Sequence, residues 1–259
     1  MTSDQGERRP PSRRIADDLR DQITDGTYQP GEKLPSERAL AAQYGTARNT
    51  AAEAIDMLRR EGLVIAKHGA GVFVRQHRPL LRLGSNRYSR TLRESTGLSP
   101  YRAEVTKQGR TARVDCTSIT RVDAPDDVAD RLGLSREDRS VTRRENWYYA
   151  DDEPVQVGIT YIPFSISEGS VLATSANMGK GSLYARFEEL GHPITRIREE
   201  ISARMPTPEE VSGLAVPDGV PVLDVLHTGI DDQGRPFEVT RFVLRADLNG
   251  LDYKMPIED

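Results

Sequence analysis

Apolar residues recur at helical spacing near the start of the chain. Ile15, Leu19 and Ile23 fall four residues apart, so they share one face of a first predicted helix. Ser12 is placed to cap this helix and Gly26 is placed to end it. The pattern therefore predicts an amphipathic helix whose apolar face packs against another element.

Two more helices are predicted in close succession, separated by a tight turn at Gly45. The second begins near Pro35–Ser36, where proline suits the first turn of a helix, and the third spans residues 47–61. Their inward-facing positions are Leu40, Ala41, Ala51, Ile55 and Leu58. Two helices joined by such a turn are typical of a helix-turn-helix, in which the start of the second helix contacts DNA bases. A small helical bundle with another role has the same pattern.

A short β-hairpin is predicted directly after the third helix. Its strands are the apolar runs 63–66 and 72–74, and the glycines between them allow a close backbone approach to a ligand. Lys67 and His68 lie at the tip, where a basic side chain suits a narrow minor groove of DNA. The hairpin favours a winged helix-turn-helix over a plain helical bundle.

Charge is unevenly distributed along the 259 residues. Residues 1–95 carry 17 Lys and Arg against 12 Asp and Glu, whereas residues 96–259 carry 19 against 28. A basic first part on an acidic remainder indicates that only the first part meets a polyanion such as DNA. Chance variation between two solvated surfaces is the alternative explanation.

Several classes of protein are disfavoured by the composition. No apolar run approaches the roughly 18 residues that span a bilayer, and the first residues lack a signal-peptide pattern. One cysteine, Cys116, and four scattered histidines provide neither a disulfide framework nor metal-ligand spacing. We therefore expect no metal, no cofactor and no membrane association, and a cytoplasmic location at the nucleoid.

The second part of the chain, from Ser99 onward, is rich in predicted strands and contains an internal repeat. Pro-Asp-Asp-Val at 125–128 is similar to Pro-Glu-Glu-Val at 208–211, and residues 152–157 are similar to residues 234–239. Each copy has the pattern of a strand, a short helix and a β-hairpin. Two such units predict one antiparallel sheet with pseudo-two-fold symmetry and helices on one face, an α+β architecture.

Polar side chains converge on one face of this predicted sheet. Strand alternation groups Arg144, Asn146 and Tyr148, then Gly158 with Thr160, and then Glu238 with Thr240. Ser182 opens a helix, where backbone N–H groups and the helix dipole favour an anion. We predict a pocket for a small effector, a sugar phosphate or another small polar metabolite, although each side chain could instead form an ordinary structural contact.

Four motifs in the first part carry a resemblance to a known family. They are G-x-Y-x-P-G-x-x-L-P-S-E-R-x-L-A at 26–41, R-N-T at 48–50, L-x-x-E-G-L-V at 58–64 and G-x-G-x-F-V at 69–74. Together they closely resemble the winged-helix head of the GntR family of bacterial regulators. The resemblance implies DNA contact by Arg38, Arg48, Thr50, His68 and Gly69, and the neighbouring Ser36, Ala47, Asn49 and Lys67 complete the predicted surface. Arg48 could read guanine and Asn49 could read adenine.

The head departs from the family pattern at two places. The family usually has Val-Ser-Arg where this chain has Thr46-Ala47-Arg48, and Arg where it has Ala52. The lost hydroxyl and guanidinium should remove one or two contacts to phosphates or bases. We expect Thr46 to cap the third helix from one position earlier, and the operator to depart from the family's common pattern.

The second part resembles the UTRA effector domain of the HutC subfamily, whose fold is that of chorismate lyase. The residues that carry this resemblance are Ala150–Val155, Tyr161–Pro163, Gly181–Tyr184, Gly234-x-Pro-x-Glu238 and Arg245-x-Asp247. The resemblance adds Arg245 to the predicted effector contacts. UTRA domains often have Glu where this chain has Gly158, and Arg at or near Asn146 or Tyr148. A larger or less charged effector is therefore the alternative to a phosphate.

These patterns predict a disordered tail (1–11), a winged helix-turn-helix (12–77), a linker (78–97) and a UTRA domain for effector binding and dimerisation (98–259). We interpret the chain as a homodimeric repressor that binds an imperfect palindrome in double-stranded DNA and is released by a small-molecule effector. The alternatives are an activator of the same family and an enzyme on the chorismate-lyase-like fold. An enzyme is disfavoured because Cys116 and the scattered histidines offer no nucleophile–base pair.

Overall fold

The chain forms two compact units. The first, here called the head, comprises Met1–Arg78 with Val216–Val220, and the second, the sheet unit, comprises Pro79–Ala215 with Pro221–Asp259. The computed structural model describes residues 10–67, 69–75, 79–82 and 84–255. Most of the predicted tail, His68 at the wing tip and residues 76–78 lie outside the described residues.

The head contains three helices followed by a two-stranded hairpin. They are α1 (Pro11–Thr24), α2 (Glu37–Gln43), α3 (Arg48–Arg60), β1 (Val64–Lys67) and β2 (Gly71–Val74). The strands pair antiparallel, from Val64 opposite Val74 to Lys67 opposite Gly71. The winged helix-turn-helix predicted from the apolar pattern is confirmed.

One apolar cluster holds the head together. The predicted inward positions Ile15, Leu19, Leu40, Ala51 and Leu58 are all buried in it. Removing a large apolar side chain from water contributes about 1.5–3 kcal/mol, so this cluster is the main source of the stability of the head.

Two helix starts differ from the prediction. Pro10 is the N-cap of α1 and a proline follows it, so Ser12 lies buried inside the helix and does not cap it. A proline at the first helical position has no N–H to satisfy, which lessens the need for a capping side chain. At α3 the N-cap is Ala47, and within the described chain no side chain caps the helix. The expected cap from Thr46 is therefore wrong.

The segment predicted as a linker is folded as part of the sheet unit. It contains β3 (Leu80–Arg82), a 3-10 helix (Gly84–Tyr88) and α4 (Arg90–Thr96), and α5 (Pro100–Lys107) follows. Leu80 is buried in a cluster with Tyr101 and Leu248. Burial of this leucine, which its apolar character favours, ties the segment to the sheet unit.

Six antiparallel strands form the sheet. They are β4 (Ala112–Asp123), β5 (Ser140–Ala150), β6 (Glu153–Pro163), β7 (Arg196–Arg204), β8 (Val222–Ile230) and β9 (Pro236–Arg245). Their order across the sheet is β4-β5-β6-β9-β8-β7. The short strand β10 (Asn249–Leu251) pairs with β3 in a separate parallel ladder.

The sheet consists of two similar halves. The first half runs β4, α6 (Asp126–Leu132), β5 and β6, and the second runs β7, α10 (Pro208–Leu214), β8 and β9. In each hairpin one fully buried residue is bulged out of the pairing, Val155 in β6 and Phe237 in β9. Each bulge comes directly after a proline that follows the hairpin turn. The strand order and the repeated bulge confirm the pseudo-two-fold sheet.

Helices cover both faces of the sheet, whereas the repeat predicts them on one. α6 packs against Val141 and Val239, and Gly213 of α10 lies against the Trp147 ring on that same face. The opposite face lies under segments that do not belong to the repeat. These are α5, α7 (Phe164–Ser167), α8 (Val171–Thr174) and α9 (Ser182–Glu189). The prediction that helices lie on one face therefore holds for the two repeated helices, α6 and α10, and not for the other helices of the sheet unit.

Candidate DNA-binding surface and effector cavity

The starts of α2 and α3 present the predicted recognition side chains. Arg38, Arg48 and Asn49 are exposed, and Thr50 is half-buried. The Arg48 side chain, 74 % exposed, donates from Nε to Glu37 Oε2 at 2.9 Å and so joins the two helix starts. An exposed ion pair of this kind contributes at most about 1 kcal/mol, so a DNA phosphate or base can displace Glu37.

The remaining predicted head contacts lie at the helix caps and the wing. Ser36 is the N-cap of α2, where its hydroxyl accepts a hydrogen bond from the Ala39 N–H at 3.2 Å. Ala47 is the exposed N-cap of α3, and without a side-chain cap the first N–H groups of that helix favour a phosphate. Gly69 is exposed with a φ of 69°. Lys67 ends β1.

A cavity of about 700 Å³ lies in the sheet unit, on the face of the sheet opposite α6 and α10. Strands β4, β5, β6 and β9 provide its floor, and the start of α9 and residues 97–102 provide its walls. Six of the eight predicted effector contacts line it: Arg144, Asn146, Tyr148, Thr160, Ser182 and Thr240. The volume fits a small metabolite.

Arg144 is a buried cation without an acidic partner among the described residues. Its side chain is 1 % exposed and donates to the carbonyl oxygens of Leu172 at 2.5 Å and Ser175 at 2.9 Å. Within the described ranges no Asp or Glu forms an ion pair with it, and burial lowers the pKa of the Arg144 guanidinium. Because a buried charge without a counter-ion is costly, an anion bound in the cavity would be stabilised here.

Ser182 is the first residue of α9 and faces the cavity. Its φ of 59° lies in the left-handed region, which residues other than glycine rarely adopt and which often marks a functional site. The N–H of the preceding Gly181 donates to Gly97 O at 3.0 Å, which ties the helix start to the wall formed by residues 97–102. The positive end of the α9 dipole therefore lies at the cavity.

Two arginines that the sequence analysis did not predict also line the cavity. Arg87 is 7 % exposed, lies 3.3 Å from Glu104, and has a buried Nε without a hydrogen-bond partner among the described residues. Arg102 is exposed. The acidic wall residue Asp115 is ion-paired with Arg113. The cavity is therefore basic on balance. Arg87 lies in the segment predicted as a linker (78–97), whose five arginines were the available signal, whereas nothing in the sequence indicated Arg102.

Aromatic rings complete the lining. The ring centroids of Tyr101 and Tyr148 are 4.9 Å apart, and those of Tyr148 and Phe242 are 6.2 Å apart. Burial raises the pKa of Tyr148 and of Tyr88 to about 12, so both hydroxyls keep their protons at neutral pH. Aromatic faces beside arginines suit a ligand that has an anionic group at one end and an apolar ring face at the other.

Two predicted effector contacts lie outside the cavity lining. Glu238 is fully buried behind it and accepts hydrogen bonds from the Tyr184 hydroxyl at 3.1 Å and from Thr240 Oγ1 at 2.7 Å. Strand alternation places Arg245 with Val243 on the opposite face of β9, where Arg245 pairs with Asp247 at 2.9 Å. Arg245 therefore does not contribute to the cavity.

The described ranges contain neither a candidate metal site nor a helix that could span a membrane. The described ranges contain no group of three or more His, Cys, Asp or Glu side chains that could hold a metal ion. Among the helices in those same ranges, none is long and apolar enough to cross a membrane. Cys116 lines the cavity, where its Sγ lies 3.7 Å from Arg144 Nη2.

Comparison with known proteins identifies both parts of the chain. The sequence profile of the bacterial regulatory proteins of the gntR family matches residues 11–74, and that of the UTRA domain matches residues 107–248. A winged helix-turn-helix joined to a ligand-binding sheet domain defines a transcriptional regulator that responds to a small molecule. The chain belongs to the GntR family and has the HutC-type combination of a GntR head with a UTRA domain.

Individual relatives agree with this assignment. The HTH-type transcriptional repressor NagR of Bacillus subtilis is 28% identical over 234 residues, which cover 90% of this chain and 89% of NagR. The uncharacterized HTH-type transcriptional regulator SCO4628 of Streptomyces coelicolor is 31% identical over 223 residues, covering 85% of this chain and 82% of SCO4628. The crystal structure of PhnF from Mycobacterium smegmatis shares the fold, with a TM-score of 0.60 and 22% identity over 94% of this chain and 100% of PhnF.

The family membership settles the broad function. GntR regulators bind DNA operators, and UTRA domains bind small-molecule effectors. The chain is therefore a DNA-binding transcriptional regulator and not an enzyme, and the cavity in its UTRA domain is the candidate effector site.

Proposed function

We propose that the protein is a homodimeric repressor that leaves its operator when an anionic effector, a sugar phosphate or a similar small metabolite, occupies the cavity. The observation that carries the effector class is Arg144, a buried guanidinium that lines the cavity and has carbonyl but no carboxylate partners among the described residues. Repression is the activity named for the similar NagR. Because an operator is chromosomal, we place the protein in the cytoplasm, at the nucleoid.

The remaining polar groups of the cavity support a phosphorylated sugar. Arg87 and the start of α9 at Ser182 add positive potential beside Arg144. Asn146 and Thr160 supply neutral donors and acceptors that suit sugar hydroxyls. Aromatic rings such as Tyr148 provide faces against which the apolar side of a sugar ring can pack.

Tight DNA binding requires two heads. A single winged helix offers a small contact set, here Arg38, Arg48, Asn49 and the wing, and the phosphate contacts of one head are too few for a specific operator. Two heads on an imperfect palindrome, with half-sites about one helical turn apart, supply the affinity. An effector releases the dimer if it binds more tightly to the dimer geometry in which the heads no longer match that spacing.

The test uses the full chain and an operator selected from fragmented genomic DNA of the source organism. Fluorescence anisotropy follows release of a labelled operator duplex. Hexose 6-phosphates should release the DNA, inorganic phosphate should do so at higher concentration, and neutral hexoses should have no effect. Arg144→Met should remove the response while DNA affinity stays unchanged.

The matched control is Arg143→Met, because Arg143 is the neighbouring arginine on the opposite face of β5, paired with Glu145 at 2.7 Å. This variant should keep the response. Release by neutral hexoses, or an equal response in both variants, would contradict an anionic effector at Arg144. A protein–DNA complex with one chain per operator in sedimentation would contradict the dimer.

A further inference from the structure

Behind the cavity lining lies a continuous series of buried polar side chains. Tyr184 and Thr240 line the cavity, and each donates a hydrogen bond to Glu238. The Oε1 atom of Glu238 lies 3.1 Å from His227 Nε2. Glu238 and His227 are both 0 % exposed, so solvent cannot replace the partners that they have in the protein.

His227 lies between two carboxylates. Its Nδ1 is 2.9 Å from Glu199 Oε1, while its Nε2 faces Glu238. The Tyr184 hydroxyl lies 3.2 Å from Nε2 and, because it donates to Glu238, it accepts from this nitrogen. Ionised Glu199 likewise only accepts from Nδ1, so both ring nitrogens donate, which is the imidazolium form. Glu199 also forms an ion pair with the buried Arg82. Two positive side chains, His227 and Arg82, are then buried with two negative ones, Glu199 and Glu238. The charges balance, which lowers the cost of burying all four.

The far end of the series is Arg82 in β3. The Arg82 side chain is 4 % exposed, and its guanidinium carbon lies 4.6 Å from the centroid of the Phe242 ring, which lines the cavity. The Tyr253 hydroxyl also donates to Glu199. Along the chain, β3 is the first strand of the sheet unit after residue 78, where the first part of the head ends.

We propose that His227 is a positioning residue that couples the state of the cavity to β3, through Glu238 on one side and through Glu199 and Arg82 on the other. The proposal rests on the proposed effector role of the cavity, but the coupling itself is a property of the protein without ligand. An effector that takes over the hydroxyl of Tyr184 or Thr240 removes a donor from Glu238. Glu238 then draws more strongly on His227, and the change reaches Glu199 and Arg82 because buried partners cannot be exchanged for water.

The competing explanation is that these side chains only stabilise the fold. The two explanations differ in one respect. If His227 couples the cavity to β3, here called the relay, a small change at the cavity alters β3 and this effect requires His227. If the cluster is purely structural, each change has only local effects. Two direct routes from the cavity lining to Arg82 do not involve His227: the packing of Phe242 against Arg82, and the hydrogen bond that Arg82 donates to the Tyr88 hydroxyl at 3.3 Å.

Hydrogen exchange of the full chain, without DNA or ligand, separates these possibilities. Peptides covering residues 79–82 and 249–253 report the bonds from Leu80 N to Leu248 O (2.7 Å) and from Asp252 N to Arg82 O (3.0 Å). Thr240→Val removes one donor from Glu238 and should speed exchange in these peptides at least about threefold more than in a peptide covering α6 (Asp126–Leu132), which reports the general loss of stability. The matched control is Thr142→Val, since Thr142 is equally buried and its hydroxyl bonds Ser167 outside the series.

The decisive comparison repeats Thr240→Val in a His227→Gln background. Loss of the effect there supports the relay, and an unchanged effect overturns it in favour of a direct route through Phe242 or Tyr88. Equal exchange in Thr240→Val and Thr142→Val also overturns it.

If His227→Gln fails to fold, ring ¹⁵N spectra of His227 decide between the two explanations. The His227 signal is assigned by replacing the other three histidines. A doubly protonated ring at pH 8 whose shifts change in Thr240→Val supports the relay, and a neutral ring overturns it. Because no ligand is used, failure of the sugar-phosphate assay would not affect this result.

Discussion

The hydroxyl oxygens of Thr160 and Thr240 lie 2.8 Å apart at the junction of β6 and β9. The two residues are direct partners in the antiparallel pairing, both are 3 % exposed, and both line the cavity. Because β6 belongs to the first half of the sheet and β9 to the second, an effector above this pair contacts both halves at once.

The two threonines should differ in their contribution to stability. Thr240→Val removes the donor to the Glu238 carboxylate and should lower the free energy of unfolding by about 1.5–3 kcal/mol. Thr160→Val removes only the bond between two hydroxyls and should cost about 0.5–1.5 kcal/mol. Urea unfolding of the full chain measures both. Equal losses would mean that Glu238 finds another donor.

Arg48→Ala should weaken operator binding by about 1–3 kcal/mol and relax the choice of base at one position. Arg48 is exposed at the start of α3, and its weak ion pair with Glu37 does not prevent it from contacting DNA. The comparison is Arg59→Ala, which changes an exposed arginine in the last turn of the same helix. Anisotropy on a series of single-base operator variants measures affinity and specificity. Equal losses of operator affinity in the two variants would show that Arg48 is not part of the recognition surface.

Gly158→Ala should destabilise the sheet unit by about 1–3 kcal/mol through overpacking. A Cβ atom at this position would lie 2.8 Å from Phe242 Cε1 and 3.2 Å from Tyr148 Cε2. The aromatic rings thus occupy the space that any larger side chain at this position would need. Phe242→Leu should relieve the clash, so the double variant should be more stable than the sum of the two single losses predicts, as measured by urea unfolding. Simple additivity would show that the rings move aside freely.

The buried charges around His227 should make stability depend on pH above neutrality. Burial alone would lower the pKa of His227, but Glu238 and Glu199 outweigh it, so the folded-state pKa lies above the usual value near 6.5. The folded chain therefore binds more protons than the unfolded chain at pH values between these two pKa values. The stabilisation is fully present below about pH 6.5 and is lost as pH rises through the folded pKa, at a slope approaching about 1.4 kcal/mol per pH unit for one proton.

Urea unfolding at several pH values from 6 to 9 measures this slope. His227→Gln should flatten it, whereas His192→Gln, which changes a histidine paired with Asp231 outside the series, should leave it in place. Glu199 acts with the opposite sign. Although burial opposes this, its bonds to His227 and the charge of Arg82 lower the pKa of Glu199, so its contribution is present above the usual value near 4.5 and is lost as pH falls. If the unfolding free energy of His227→Gln still falls with rising pH at the same slope, another titrating group causes the pH dependence.

The head was predictable because its signals are local. The apolar spacing of Ile15 and Leu19 and the start of the second helix near Pro35–Ser36 depend on residues close in sequence, and both are found in the fold. The predictions at Ser12 and Thr46 were wrong about which of several adjacent residues is the N-cap of the helix. The N-caps are the neighbouring Pro10 and Ala47.

The cavity was predictable only in part, because alternation gives the face of a strand and not the depth of a side chain. It grouped Arg144 and Asn146 correctly on one face, but it could not show that Thr240 and Tyr184 separate Glu238 from the cavity. The contribution of Arg87 depends on how the segment after residue 79 folds back onto the sheet. That packing is a long-range contact without a local pattern.

The bulges at Val155 and Phe237 have an evolutionary consequence. A shared irregularity at the same place in two halves is expected when one ancestral half was duplicated and fused, so positions in the two halves can be matched by counting from the bulges. Counted from the bulges, Asn146 in the first half corresponds to His227 in the second, since each lies two residues before the last pair that precedes its bulge. Asn146 lines the cavity, while His227 is buried beside Glu199 and Glu238, so the two halves differ in the residues that face a ligand.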